Sequence, residues 1–227
     1  MAALLYFAPK IQSEAKQNEK ENSDFTSSFE EALKNAPSEQ KDIFARLETG
    51  LKKAEADNNE QSWLASANDF LKGAQLIKSD KKATLYIGAI KGFEKALKFS
   101  PENLSIKTNL GTAIVESSSL IGNQPMKGIT LLREVIQKDS NNIEANLQLG
   151  LFSVTSQQFQ KAIERFNRIL RIDSTHIDMY VYLGDTYIQM GEKQKAIESY
   201  ENYKTRVKDT LIIKDIDEYI KKLKQSN

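Results

Sequence analysis

Cysteine is absent from the 227 residues, which excludes disulfides, thiol nucleophiles and thiolate metal sites. Histidine occurs once, at His176, so no site can use two imidazoles. Charge of one sign is also missing. Thirty-two Lys+Arg stand against 31 Asp+Glu, a net charge of +1, and the basic surplus that steers nucleic acid is not there. No nucleic-acid partner is expected. The phosphate loop GxxxxGK[ST], the dinucleotide loop GxGxxG, the zinc motif HExxH and the nucleophile elbow GxSxG are all missing, and with them the reactions they serve. The run Ser117-Ser118-Ser119 has no basic residue beside it and reads as a helix end. The carboxylates alternate with Lys and Arg, as on a solvated helix face. No enzyme, metal or cofactor is expected.

Proline and glycine are sparse too, at four and ten residues. Pro9, Pro37, Pro101 and Pro125 sit at breaks between long stretches of Ala, Leu, Glu, Lys and Gln, which are strong helix formers. From Trp63 the apolar residues run Trp63, Leu64, Ala67, Phe70, Leu71, Ala74, Ile77. That three-and-four spacing marks a helical stripe, not strand alternation. The chain reads as all-α, with helices over 38–57, 60–78, 83–99 and 211–224 among others.

The stripe repeats. Leu183-Gly184 stands 34 residues after Leu149-Gly150. Ala196, Tyr200 and Tyr203 stand 34 after Ala162, Phe166 and Ile169, and those stand 34 after Gly128, Leu132 and Val135. Leu110-Gly111 precedes Leu149-Gly150 by 39, so five residues are inserted there, and Ala89, Phe93 and Ala96 form an earlier copy of the second half. A fixed period of this size signals stacked supersecondary units. These residues resemble the tetratricopeptide repeat (TPR). Its strongest copy here is Tyr180, Leu183, Gly184, Tyr187, Gly191, Ala196, Tyr200, and the next is Leu149, Gly150, Phe159, Ala162, Phe166. The first copy, from Trp63 to Pro101, is degenerate and carries about ten extra residues between Ala67 and Ala89.

The resemblance implies a right-handed α-solenoid of about four helix pairs, at 60–103, 104–142, 143–176 and 177–210. Gly111, Gly150 and Gly184 are expected to face Gly128, Ala162 and Ala196 across each pair. Helix starts are expected at Ser100-Pro101-Glu102, with Ser100 as cap and Pro101 in the first helical position, and at Asp139-Ser140 and Asp173-Ser174. Both insertions are placed in the turn inside a repeat, with Leu120-Ile121 tucked under the first repeat's turn.

By the same resemblance the first helices line a concave groove: Leu64, Asn68, Leu71, Thr108, Thr112, Val115, Glu144, Leu147, Leu151, Asp178, Val181, Asp185 and Ile188. One TPR subclass clamps a C-terminal carboxylate with Lys and Asn on these helices; the corresponding positions here carry no cation pair. The groove is apolar in the middle and acidic at Asp178 and Asp185, which suits a basic amphipathic protein or peptide segment. The expected function is a non-enzymatic interaction scaffold. The alternative is self-assembly through the terminal helices.

The flanks complete the plan. Residues 38–59 read as an N-terminal capping helix beside Trp63, and 211–227 as a C-terminal one, since a terminal repeat needs its apolar face covered. Residues 10–37 are polar and read as a flexible arm with a short helix at 24–35. Residues 2–8 are seven consecutive apolar residues, far short of the ~20 that span a bilayer. They read either as an apolar tail or as the outer end of a longer membrane anchor. A group of small bacterial TPR proteins has that layout, and the segment 124–135 resembles theirs; a tethered body would then lie outside the cytoplasm.

Overall fold

The structure is a computed structural model that describes residues 24–122 and 124–225. The apolar residues 2–8 and the first part of the expected arm lie outside the described residues. The described residues are helical throughout, with no strand. They fall into two compact units, Met1–Pro125 and Met126–Asn227. The first holds α1 (24–34), a 3-10 turn (Ser38–Gln40), α2 (Lys41–Asp57), α3 (Glu60–Leu76), α4 (Lys82–Phe99) and α5 (Leu104–Ile121). From the boundary onward follow α6 (Pro125–Lys138), α7 (Ile143–Thr155), α8 (Phe159–Ile172), α9 (Met179–Gln189), α10 (Lys193–Lys204) and α11 (Thr210–Gln225).

In the first unit α2 packs on α3, α3 on α4 and α4 on α5. Phe44, Phe70, Leu85 and Phe93 form its fully buried heart. Trp63 is 8% exposed, and its indole N–H donates to Asn58 Oδ1 at 3.0 Å. Glu60, at the start of α3, accepts from the Ser100 hydroxyl and, at 3.1 Å, from Asn103 Nδ2. This fastens one end of α3 to the α4–α5 turn. In the second unit α7 packs on α8, α8 on α9, α9 on α10 and α10 on α11. Ala162, Ile163, Phe166, Ile169, Met179 and Leu183 make one buried cluster; Ala196, Ile197, Tyr200 and Ile220 make the next. Ile220 of α11 packs into this last cluster, and Lys204 contacts Asp217 of α11 at 2.8 Å.

Four details depart from the sequence reading. Residues 24–36 are not a free arm. Phe25, Phe29, Ala32 and Ala36 are buried, and the Phe29 ring lies 5.2 Å from that of Phe70 and 6.0 Å from that of Phe44. Polar composition masked an apolar stripe at the same helical spacing that identified the other helices.

The insertions do not lie in the turns alone. They also lengthen helices: α3, α4 and α5 have 17, 18 and 18 residues, against 11 and 12 for α9 and α10. Leu120 therefore stands on the last turn of α5, 50% exposed, while Ile121 beside it is half-buried. The serines before it are inside the helix as well; Ser117 and Ser118 return their hydroxyls to the carbonyls of Ile114 and Val115.

The helix caps lie three residues later than expected. Asn103 Oδ1 accepts from Ser105 N and Ile106 N, and Asn142 Oδ1 from Ala145 N. Ser100 and Asp139 instead open turns closed by Asn103 N and Asn142 N at 3.1 and 3.2 Å, so Pro101 occupies the second position of a turn, where its fixed φ fits equally well.

Finally, Gly150 and Gly184 face rings first, not the alanines expected opposite them. A Cβ on Gly150 would sit 2.6 Å from Phe166 and one on Gly184 2.6 Å from Tyr200. The first repeat reverses the arrangement. There the ring, Phe70, is on the first helix and the glycine, Gly88, on the second, with 2.5 Å between a Cβ and that ring; Gly92 likewise meets Ala67 at 2.8 Å.

Candidate partner-binding face

The groove residues are placed unit by unit. In the first, Leu64 and Asn68 on α3 and Val115 on α5 are half-buried. Asn68 Oδ1 accepts from Asn109 Nδ2 at 2.9 Å, bridging α3 to α5. Leu71, Thr108 and Thr112 are only 8%, 3% and 2% exposed. These three offer a partner almost no surface, a correction to the sequence reading. Thr108 spends its hydroxyl on the Leu104 carbonyl at 2.8 Å.

In the second unit Leu147 and Leu151 on α7 are half-buried against the cluster around Phe166. Val181 and Ile188 on α9 are half-buried against the cluster around Tyr200. Asp178 and Asp185 are exposed and Glu144 is half-exposed. Glu144 Oε1 accepts from Gln148 Nε2 at 3.0 Å, and Asp185 Oδ1 accepts the Tyr200 hydroxyl at 2.7 Å.

One residue joins these three carboxylates, and the sequence reading passed over it. Tyr182 stacks on Phe166 with ring centroids 5.5 Å apart. Burial raises its phenol above the ordinary range, and the charges of Asp178, Asp185 and Glu144 raise it further. The charges of all three acids thus reach the Tyr182 hydroxyl, Glu144 from α7 and Asp178 and Asp185 from the start and the face of α9. The spacing Asp178, Tyr182, Asp185 is i, i+4, i+7, one face of one helix, and could have been found from sequence. Arg206 lies over the Tyr180 ring, 4.8 Å from its centroid. His176 sits 3.6 Å from Asp173, and among the described residues no group of three His, Asp or Glu side chains is arranged to hold a metal ion. No described helix is long and apolar enough to cross a membrane.

Antiparallel helix pairs with a glycine of one helix under an aromatic ring of the other define a helical repeat protein of the α-solenoid class. Residues 177–204 match the family model of the Tetratricopeptide repeat. The chain has the tetratricopeptide-repeat fold, as solved structures agree. It is 25% identical to MamA in a crystal structure that it matches over 66% of this chain and 94% of that one, with a TM-score of 0.50. It is 23% identical to YrrB, described as a TPR protein with an unusual peptide-binding site, over 86% and 97% of the two chains at a TM-score of 0.50. MamA from Desulfovibrio magneticus RS-1, from residue 41 to its end, is 15% identical over 91% and 98%, with a TM-score of 0.52. No curated protein matches the sequence. The repeat architecture is that of a protein-interaction scaffold.

Proposed function

We propose that this chain is a non-enzymatic scaffold of four TPR-like repeats whose α7–α9 face holds a basic amphipathic segment of a partner protein. The observation that carries this reading is the set of acids, Glu144, Asp178 and Asp185, disposed about Tyr182, with half-buried Leu147, Leu151, Val181 and Ile188 on the same helices. Carboxylates at an apolar surface give a Lys/Arg-bearing helix or strand both a buried stripe and charge partners. The printed description of YrrB as peptide-binding supports a peptide as the kind of ligand.

Display of random peptides against the full-length chain tests the reading. The recovered sequences should be amphipathic with an excess of Lys and Arg. They should fail to bind the double variant Asp178→Lys, Asp185→Lys, whose helical circular dichroism should be unchanged. Equal binding by that variant would place the site elsewhere.

A second reading, self-assembly through terminal helices, draws on α11, where Leu211 is 72% and Tyr219 39% exposed. Light scattering of the purified chain distinguishes it: a stable oligomer that Leu211→Lys dissociates would favour self-assembly.

A further inference from the structure

Positive charge gathers on two helices. α6 and α8 carry seven basic residues against two acids, Glu134 and Glu164, in a chain whose 32 Lys+Arg nearly balance 31 Asp+Glu. Four of the chain's six arginines are among them: Arg133 on α6, and Arg165, Arg168 and Arg171 on α8. All four belong to the second unit.

Their charges are open and uncompensated. Arg133 and Arg171 are exposed, and Arg165 and Arg168 are half-buried. Among the described residues none of the four makes an ion pair. Their one hydrogen bond runs from Arg165 Nη1 to Asn146 Oδ1, at 3.2 Å. Asn146 is 1% exposed, and its own amide donates to the carbonyls of Ser140 and Asn142 at 3.1 and 2.8 Å. The acceptor that orients Arg165 is therefore itself fixed. Arg165 and Arg168 stand one turn apart on α8, as neighbours on the helix surface. Arg133 acts on the same place from α6. Burial holds the Arg165 guanidinium below its ordinary range, and the charges of Arg133 and Arg168 lower it further, with Glu164 opposing.

Like charges this near one another are destabilising. An anion among them relieves the repulsion and gains charge-assisted hydrogen bonds. The guanidinium fork matches phosphate in geometry. A phosphate monoester brings about −1.5 to −2 charge and three acceptor oxygens, more of both than a carboxylate, and three guanidinia converging on one place fit it. A bilayer presents its charge as a sheet, which a broad basic segment suits; these arginines close on a point.

We propose that Arg133, Arg165 and Arg168 form a site for a phosphorylated side chain of a partner protein, with Arg171 at its margin. Glu144, Asp178 and Asp185 take no part, so this site and the acidic face stand or fall separately.

The probe is the peptide acetyl-Ala-Gly-phosphoserine-Gly-Ala-amide, titrated by calorimetry into the full-length chain beside its unphosphorylated and glutamate counterparts. Saturable binding is expected, with both counterparts at least about tenfold weaker, as when charge-assisted bonds are lost. Arg133→Gln with Arg168→Gln removes two guanidinia that bond no described residue. That variant should lose about tenfold or more in affinity at unchanged helical circular dichroism. Should it misfold, Arg168→Lys keeps the charge but not the fork, and should bind the phosphopeptide more weakly than the native chain does. Undiminished binding by the variant that folds overturns the proposal. Inorganic phosphate and vesicles of phosphatidylglycerol in phosphatidylcholine separate the sources. Phosphate that binds as tightly as the peptide assigns a free ion. Vesicles that bind the native chain but not the variant, while the peptide does not bind, assign a membrane surface. Either result overturns the proposal. So does a glutamate peptide that binds as well as the phosphorylated one, or no saturable binding of the phosphopeptide up to about 10 mM.

Discussion

Gly50 and Gly88 put the same added atom to opposite tests. Gly50 lies inside α2, and a Cβ there would find its nearest neighbour, Ser66 Oγ, at 4.0 Å. Gly50→Ala should therefore stabilise the chain by about 0.5–1 kcal/mol through lower helix-forming cost alone. Gly88→Ala gains the same propensity, but its Cβ would sit 2.5 Å from the Phe70 ring, and that ring is itself fully buried. Overpacking costs about 1–3 kcal/mol or more, which outweighs the gain, so the net change should be destabilising. Urea denaturation of both variants reads the two signs; a stabilised Gly88→Ala would mean that α3 and α4 can part cheaply. The sequence disclosed Gly150 and Gly184 because each sits in a leucine–glycine pair at the repeat period. It did not disclose Gly88, which precedes the Ala89 that fits the repeat pattern. The four-residue spacing Gly88–Gly92 was its only local signal. Which ring fills each glycine's space depends on the approach of two helices, and no spacing along one chain contains that.

Turns and helix ends show the same division between what periodicity carries and what packing decides. The turn before α5 runs from Ser100 to Asn103, that before α7 from Asp139 to Asn142, and that before α9 from Asp173 to His176, each closed by an i to i+3 backbone bond. In the first two the closing residue is an asparagine that caps the helix. In the third it is His176. There α9 begins only at Met179 after a tight first turn, and no side chain caps it. His176→Asn should supply the missing acceptor and stabilise by about 0.5–1 kcal/mol, within the range that such caps contribute. An unchanged denaturation midpoint would show that the tight turn tolerates no cap. Phe29→Ala examines α1 in the same assay. A residue on a free arm would change stability by less than about 0.5 kcal/mol, whereas a ring buried among Phe25, Phe44 and Phe70 should cost about 3–5. Element type was readable wherever apolar residues recurred every three or four positions. Element length was not, because extra residues in a repeat extend a helix or a turn according to which neighbour can cover them, and the neighbour is distant in sequence.

At the scale of the whole molecule the 34-residue period revealed the repeat fold, but nothing in it marked the division at Pro125, which falls between the two helices of the expected second repeat. What both units share is a phenol set against a carboxylate. Tyr86 donates to Glu116 at 3.0 Å in the first, and Tyr200 to Asp185 at 2.7 Å in the second. Tyr182 lies among Asp178, Asp185 and Glu144. Burial is the main reason that all three phenols titrate above the ordinary value, and the neighbouring carboxylates add to it. The unfolded chain would release these protons near pH 10, while the folded chain keeps them. A group whose folded pKa is raised contributes stability that is complete below its unfolded pKa and is lost as pH climbs past it. Stability should thus hold to about pH 10 and fall steadily above it. Phenolate absorbance at 295 nm offers the check. At about pH 10.5 the native chain should show less phenolate than its eight tyrosines would give with ordinary pKa values, and the missing absorbance should appear together with the loss of helical circular dichroism. Tyr200→Phe removes one delayed phenol, so it should shrink that late step and soften the alkaline fall, at the cost of a hydrogen bond to a charged acceptor, about 1.5–3 kcal/mol, near neutral pH. Full phenolate absorbance while the helices remain intact would mean that these hydroxyls are open to solvent and that the acids around Tyr182 do not act on it.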